Sequence, residues 1–458
     1  MSASILTKFF EPRSLALVGA TRTPGFGYGI PFFWKKHGWL EKAYLVNPKG
    51  GEIEGKKVMQ SVADLPEGID LAIVIVPALI VKGTLIELGK KKINAAVIES
   101  AGFAETGEPG RKMQDELLEV ARSYGMRLLG PNCVGVVNSA NKFASIEVMD
   151  RALIPGHASI IAQSGVFGNI LLDYLPEAGL KISKVATLGN KIDLDETDFL
   201  EYFCEDPDTS VIMIYQEGAK DGAKFLKALK KATAKKPVVI LKSGRTPLGR
   251  RATLSHTGSL SGQDDVYDGA FRQGGAVRAG SIQEMIDIAK VLSSQPKMKG
   301  HKVGVVTTTG SVGAMAADAL CKNGLELADW SSETVEKIKS IAPGYLNIKN
   351  PLDLGPSGIF LPALEIALSD PKPDAFILIP VIPFAAIENF RKFGFGAKEF
   401  FGDLKVLREK AKSRPVIAIM IGYREWLEEM KGLCGETVAF MESVDNAARA
   451  LSALCRIR

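Results

Sequence analysis

His256 lies in the run Ser255-His256-Thr257-Gly258-Ser259-Leu260-Ser261-Gly262, and the chain has only four histidines. Glycines let a backbone approach a ligand closely, while hydroxyls and free N–H groups bind anions. A neutral imidazole in such surroundings can attack phosphorus and hold a phosphoryl group covalently. The same eight residues also read as a surface histidine in a Ser/Gly turn, and alone they do not separate the two. His37 stands beside Lys35-Lys36 in a helical stretch, His157 in a Pro-Gly turn and His301 in a linker. None has glycine and hydroxyl neighbours on both sides, so all three read as surface residues.

Four further places carry groups suited to phosphate chemistry. The strand-like run 14–19 feeds Ala20-Thr21-Arg22-Thr23-Pro24-Gly25-Phe26-Gly27-Tyr28-Gly29, the position of a phosphate-binding turn before a helix. It lacks the spaced Gly-x-Gly-x-x-Gly fingerprint. The next strand also lacks the acid that would hold a ribose 2′-hydroxyl and ends in Asn47-Pro48-Lys49-Gly50-Gly51. A lysine there favours a ligand with an extra phosphate, NADP or coenzyme A, although a solvated turn residue reads the same way. Gln163-Ser164-Gly165-Val166 is a strand-to-helix turn whose free N–H groups would face an oxyanion, and a plain serine N-cap fits it too. Glu217 ends the run 211–215, at the edge where α/β folds bind ligands; it would orient an imidazole or cap a helix before Gly218.

Short apolar β-branched runs that alternate with amphipathic helical stretches must position these groups. The strand-like runs fall at 14–19, 43–46, 71–76, 95–98 and 127–129, then 158–162, 184–188, 211–215 and 238–241, then 303–307, 375–380, 416–421 and 438–441. Helical periodicity fills the gaps, as at 224–232 and 312–322. Strands without polar alternation are buried on both faces, so the expected class is α/β with doubly wound parallel sheets. A chain of 458 residues should split into about three domains. Gly130-Pro131-Asn132 and the polar stretch 295–300 mark expected boundaries, giving 1–130, 131–296 and 297–458.

The bulk properties exclude several classes. A net charge of +5 is small for this length, and the lysines at 90–92, 230–231 and 235–236 fall at expected helix ends, without interleaved aromatics. That argues against a nucleic-acid surface. Cys133, Cys204, Cys321, Cys434 and Cys455 form no Cys-x-x-Cys pair, which argues against a zinc site or disulfide framework. No run is long and apolar enough for a membrane span, and the N-terminus lacks a signal-peptide pattern, so a cytoplasmic protein is expected.

Taken in order, the motifs resemble one family. They are Leu17-Val18-Gly19-Ala20, Val46-Asn47-Pro48-Lys49-Gly50, Val76-Pro77-Ala78, the Ser100 to Gly107 run, Gly130-Pro131-Asn132-Cys133-Val134-Gly135, Ala162-Gln163-Ser164-Gly165, Gly189-Asn190-Lys191, Tyr215-Gln216-Glu217-Gly218, Lys242-Ser243-Gly244-Arg245-Thr246 and the His256 run. The chain resembles the alpha subunit of the ADP-forming acyl-CoA synthetases, typified by archaeal acetate–CoA ligase and related to succinyl-CoA synthetase. The resemblance implies a Rossmann-like CoA-binding domain followed by two flavodoxin-like CoA-ligase domains. It implies that His256 is phosphorylated, that Glu217 orients it and that Ser164 and Gly165 open a phosphate-binding helix. It puts the CoA pyrophosphate at Pro24-Gly25-Phe26-Gly27 after Gly19, with Lys49 on a CoA phosphate and Val76, Pro77, Ile98 and Glu99 flanking the rest.

The implied reaction is acyl-CoA + ADP + phosphate ⇌ carboxylic acid + CoA + ATP, through acyl phosphate and phosphohistidine. No Gly-x-x-x-x-Gly-Lys-Ser/Thr loop is present. The resemblance assigns ADP/ATP and Mg²⁺ to a separate ATP-grasp beta subunit in an α2β2 assembly, with no metal ligands on this chain. The phosphohistidine loop would swing between subunits, with Gly258, Gly262 and Gly249 as hinges. In the third domain, Thr307-Thr308-Thr309-Gly310-Ser311-Val312-Gly313 is another anion-ready turn, with Gly310-Ser311 where the family often has two glycines; Asn350-Pro351-Leu352-Asp353 fits the family pattern within the long loop 343–358. Two alternatives stand beside this expectation: an NADP-dependent oxidoreductase, which leaves the His256 run unexplained, and a catalytically silent regulatory protein with the synthetase fold. The acyl group and the physiological direction are not legible.

Overall fold

The strand runs 15–18, 71–74 and 95–98 present no exposed residue to water, and each lies inside a sheet covered on both faces. The computed structural model describes residues 5–257 and 262–456, without the side chains of 254–257. The chain divides into two compact units, Met1–Met285 and Ile286–Arg458.

The first unit holds two sheets. In one, the strands run Glu52–Ile53, Lys56–Met59, Ala43–Val46, Leu15–Val18, Leu71–Val74, Ala95–Ile98, Arg127–Leu129. Apart from the terminal Glu52–Ile53 hairpin all pairs are parallel. The six parallel strands follow the 3-2-1-4-5-6 order of a Rossmann sheet, with its topological switch between Leu15–Val18 and Leu71–Val74.

The second sheet runs Val277–Ala279, Val238–Lys242, Val211–Gln216, Ala158–Ala162, Ile182–Thr187, Val136–Asn138, Phe143–Ala144. Its five parallel strands have the flavodoxin-like order, and the switch falls between Ala158–Ala162 and Val211–Gln216. The sheet is not wholly parallel as expected. Val136–Asn138 and Phe143–Ala144 form an antiparallel edge hairpin. Asn138 and Asn141 hold its turn by accepting the N–H groups of Ala140 and Phe143, and both amides donate to the Phe10 carbonyl.

The second unit carries a parallel sheet in the order Glu326–Leu327, Lys302–Thr307, Ala375–Ile379, Val416–Ile419, Ala439–Met441, again flavodoxin-like. The loop 343–358 is not free of structure: Leu352–Asp353 pairs with the end of Lys302–Thr307. Its core gathers Trp330, Phe360, Phe376, Phe401 and Trp426.

Candidate functional site

The carboxyl ends of the Leu15–Val18, Ala43–Val46 and Leu71–Val74 strands open on a cleft of about 350 Å³ at the first sheet's switch point. Gly19 and the Val76-Pro77 step line it, together with Asn47, Ser61 and Thr84. Gly19 sits at φ +104°, where a Cβ would stand 2.0 Å from the Ile75 carbonyl oxygen. The chain can therefore pass this close to the neighbouring strand only as glycine. Asn47 joins two loops at the rim: its amide donates to the Ala20 carbonyl at 2.8 Å, and its oxygen accepts the Lys49 N–H at 2.9 Å.

The Pro24-Gly25-Phe26 turn is exposed, Gly27 is packed on Ile75, and helix Ile30–Lys36 follows. Lys49 is exposed beside the cleft residue Pro48. Ile98 has no exposed surface and packs in the core with Val74 and Phe103, so it lies beneath the cleft instead of lining it. Glu99 is also buried. Neither of its carboxylate oxygens makes a standard hydrogen bond, Ser145 being its polar neighbour, and burial pushes its pKa well above the usual carboxylate range. Arg22, which the sequence did not single out, reaches the Gly50 carbonyl at 3.2 Å and adds a cation at the rim.

At the second sheet's switch point, Ser164 is the N-cap of helix Gly165–Glu177, and its side chain makes no capping bond. The first-turn N–H groups of this helix therefore open on the sheet's carboxyl edge without a side-chain cap. A Cβ on Gly165 would meet Val134 Cγ2 at 2.6 Å, so the helix starts hard against the Cys133-Val134 loop. Glu217 is buried directly after Val211–Gln216. Gln163 accepts both the Glu217 and Gly218 N–H groups, at 2.9 and 3.1 Å, and the Tyr215 hydroxyl lies 3.4 Å from Glu217 Oε1. Gln163 therefore ties the Ser164 turn to the Glu217 turn. Lys191 Nζ holds the same turn from behind, donating to the Gly218 carbonyl at 2.7 Å and pairing with Glu196 at 2.9 Å.

His256 falls in the last turn of helix Pro247–Thr257; its side chain, and residues 258–261 after it, lie outside the described residues. Gly249, expected as a hinge, is in the first turn of that helix with its N–H on Thr246 Oγ1. His37 is not a surface residue: it packs on Phe33 and meets Asp150 at 3.2 Å, with its side chain only 9% exposed. In the second unit Lys302–Thr307 does lead through Thr309 into helix Gly310–Lys322. Asp353 stands 2.7 Å from where a Cβ on Gly310 would be, so this helix start already faces a carboxylate.

Residues 13–139 match a CoA binding domain, and residues 155–292 a succinyl-CoA ligase like flavodoxin domain. The alpha subunit of acetate–CoA ligase (ADP-forming) II from Pyrococcus furiosus is 38% identical over 426 residues, which cover 92% of this chain and 91% of that one. The chain belongs to the ADP-forming acetate–CoA ligase alpha subunits. The isoform I alpha subunit of the same organism is 37% identical across 98% of this chain and 97% of its own. The acetyl-coenzyme A synthetase 1 of Ca. Korarchaeum cryptofilum, solved with phosphate and ADP, superposes with a TM-score of 0.87 at 31% identity, covering 99% of this chain and 96% of that one. The CoA binding domain match thus spans the Rossmann sheet and its cleft, and the flavodoxin domain match the five parallel strands of the second sheet. The oxidoreductase and silent-protein alternatives find no support in these relatives.

Proposed function

We propose that this chain, with an ATP-grasp beta subunit in an α2β2 assembly, interconverts acyl-CoA, ADP and phosphate with carboxylic acid, CoA and ATP. Acetate is the acid named for the two Pyrococcus furiosus alpha subunits. The observation that carries the reading is the convergence of Ser164-Gly165 and Glu217 on one switch point through Gln163.

CoA binds in the first cleft, with its pyrophosphate at Pro24–Gly27 and a phosphate on Lys49. Phosphate at the Ser164–Gly165 helix start attacks the thioester carbonyl and expels CoA as the thiolate, leaving an acyl phosphate. The His256 imidazole takes the phosphoryl group and releases the carboxylate. Glu217 fixes the ring by accepting its other N–H. Phosphohistidine then passes the group to ADP on the partner, dividing one difficult transfer into two easier ones. Mg²⁺ accompanies the nucleotide there; among the described residues of this chain no group of three or more His, Cys, Asp or Glu side chains is arranged to hold a metal ion. The domain division 1–130, 131–296 and 297–458 belongs to the same proposal, with one sheet in each segment supporting it. So does a cytoplasmic location; among the described residues no helix is long and apolar enough to cross a membrane.

Incubation with the partner subunit and labelled ATP tests the assignment. Acid-labile, base-stable label is expected on the wild-type chain and absent from His256→Ala; full labelling of that variant refutes it.

A further inference from the structure

The turn after Val211–Gln216 is fixed peptide by peptide by three side chains. Gln163 accepts the Glu217 and Gly218 N–H groups, and Lys191 Nζ donates to the Gly218 carbonyl. The hydroxyl of Tyr267 accepts the next N–H, that of Ala219, at 2.8 Å. Tyr267 lies in helix Asp264–Gln273, directly after the His256 run. Its half-buried ring packs on Phe271 at 5.8 Å, and Phe271 in turn meets Phe225 of helix Gly222–Thr233. The Lys242 ammonium lies 4.7 Å from the ring centre. Burial raises the Tyr267 pKa, so the hydroxyl stays neutral at physiological pH.

The same ring lies against the exit of the His256 run. A Cβ on Gly262, the last residue of that run, would stand 3.2 Å from Tyr267 Cε2. The helix that carries the ring is anchored at its start: Arg278 pairs with Asp264 at 2.5 Å and with Asp268 at 3.2 Å. Asp264 also faces Arg245, which precedes the run, at 3.7 Å. We propose that Tyr267 is a positioning residue for phosphoryl transfer: by holding the Ala219 peptide from the helix that follows the His256 run, it fixes the Glu217 carboxylate relative to that run. The proposal rests on the reading of His256 as the phosphoryl carrier and of Glu217 as its partner.

Glu217 Oε1 lies 3.4 Å from the Tyr215 hydroxyl, and the Tyr215 ring stacks on Phe167 of helix Gly165–Glu177 at 4.1 Å. The carboxylate therefore stands on the side of the sheet that carries this helix. Gln163 and Lys191 tie the turn beneath it to the sheet and to Glu196. Of the three side chains, Tyr267 ties it to the segment that carries His256. Phenylalanine at 267 keeps the ring against Gly262 and deletes only the acceptor of the Ala219 N–H. The peptide two residues from Glu217 is then free to shift, and the carboxylate holds the imidazole less tightly. A carboxylate that accepts an imidazole N–H favours the protonated ring and raises its pKa. Loosening that contact lowers the His256 pKa.

Tyr267→Phe, in the full chain with its partner subunit, tests this through the rate of phosphohistidine formation from labelled ATP across pH. The rate at neutral pH is expected to fall about 3- to 10-fold, the scale of one neutral hydrogen bond, with the KM for ATP unchanged. The variant keeps the ring and its packing, so its melting temperature should stay close to that of wild type. The acid limb of the profile, where His256 must lose its proton to attack, is expected to move to lower pH. A loss of packing alone would lower the rate at every pH and leave that limb in place. An unchanged rate overturns the proposal, and so does a lower rate with an unmoved limb. A wild-type complex that takes no acid-labile label from ATP refutes the functional reading itself, before Tyr267 is altered.

Discussion

Lys191→Met is the perturbation that most directly probes the support of the Glu217 turn. The Lys191 and Glu196 side chains are 3% and 4% exposed and pair at 2.9 Å, and the same ammonium donates to the Gly218 carbonyl. Methionine preserves most of the stem volume but removes the charge. Glu196 is then left buried, with Gln216 Nε2 at 3.4 Å from its other oxygen. Removing one partner of a buried pair costs about 3–5 kcal/mol, because the remaining charge is uncompensated. The lost bond to Gly218 adds about 1 kcal/mol. At about 2–4 °C per kcal/mol for a large domain, the melting temperature should fall by roughly 8–24 °C. Urea denaturation followed by circular dichroism gives the free energy, and phosphohistidine formation should fall with it because the turn loses its rear support. Glu196→Gln in the Lys191→Met background should recover part of the loss, since it removes the orphaned charge. A Lys191→Met variant within about 1 kcal/mol of wild type, below the range for a broken buried pair, refutes the reasoning. So does a double variant no more stable than Lys191→Met.

Three other substitutions probe the first cleft and the Asn190 bonds between the two sheets. Gly19→Ala forces a side chain to φ +104° and to 2.0 Å from the Ile75 carbonyl oxygen. It should cost about 1–3 kcal/mol in strain and weaken CoA binding while sparing phosphate binding, as two separate titrations would read. Asn190 donates to Glu105 at 2.6 Å and to Gln114 at 2.9 Å. Asn190→Asp sets a second carboxylate against Glu105, so it should destabilise more than Asn190→Ala at pH 7, and the excess should shrink near pH 4.5 as the carboxyls take up protons. Urea titrations at both pH values test this, and an excess that grows on acidification contradicts it.

The buried strands were legible because an apolar run flanked by turn residues has few alternatives, and the observed strands 43–46, 95–98, 127–129 and 158–162 coincide with the expected ones. The hairpin 136–144 was not, because what holds it is remote in sequence: Asn138 and Asn141 bind the carbonyl of Phe10. Ser164 and Glu217 could be placed because each follows a recognisable strand end. The depth of Ile98 was hidden: a strand end reads the same whether it opens on a cleft or lies under it.

Several motifs without a role in the sequence turn out to share a mechanical one. Glu105 accepts the N–H groups of Gly102 and Phe103 at the first sheet's edge and the Asn190 amide from the second. Burial alone would raise its pKa, but the bonds from Asn190 and these backbone groups outweigh that and hold it low, so it stays ionised and gripped from both sides. The N–H groups of Asn190 and Ile192 bind the Pro131 and Gly130 carbonyls, and Asn132 N–H binds the Ser100 carbonyl. The next residue, Lys191, holds Gly218. A continuous hydrogen-bonded strut thus runs from the turn after Ala95–Ile98, through Asn190 and Lys191, to the peptide beside Glu217. The 130–135 loop reinforces it and also abuts the Ser164–Gly165 helix start through Val134. In the proposed reaction, a thioester from the first cleft and a phosphate at the Ser164–Gly165 helix start must meet within a fraction of an ångström for an acyl phosphate to form. Two sheets joined only by apolar packing could slide relative to each other, whereas directional bonds at both edges fix their register. This accounts for the density of glycine, asparagine and proline in these loops, where side chains are small or committed to backbone.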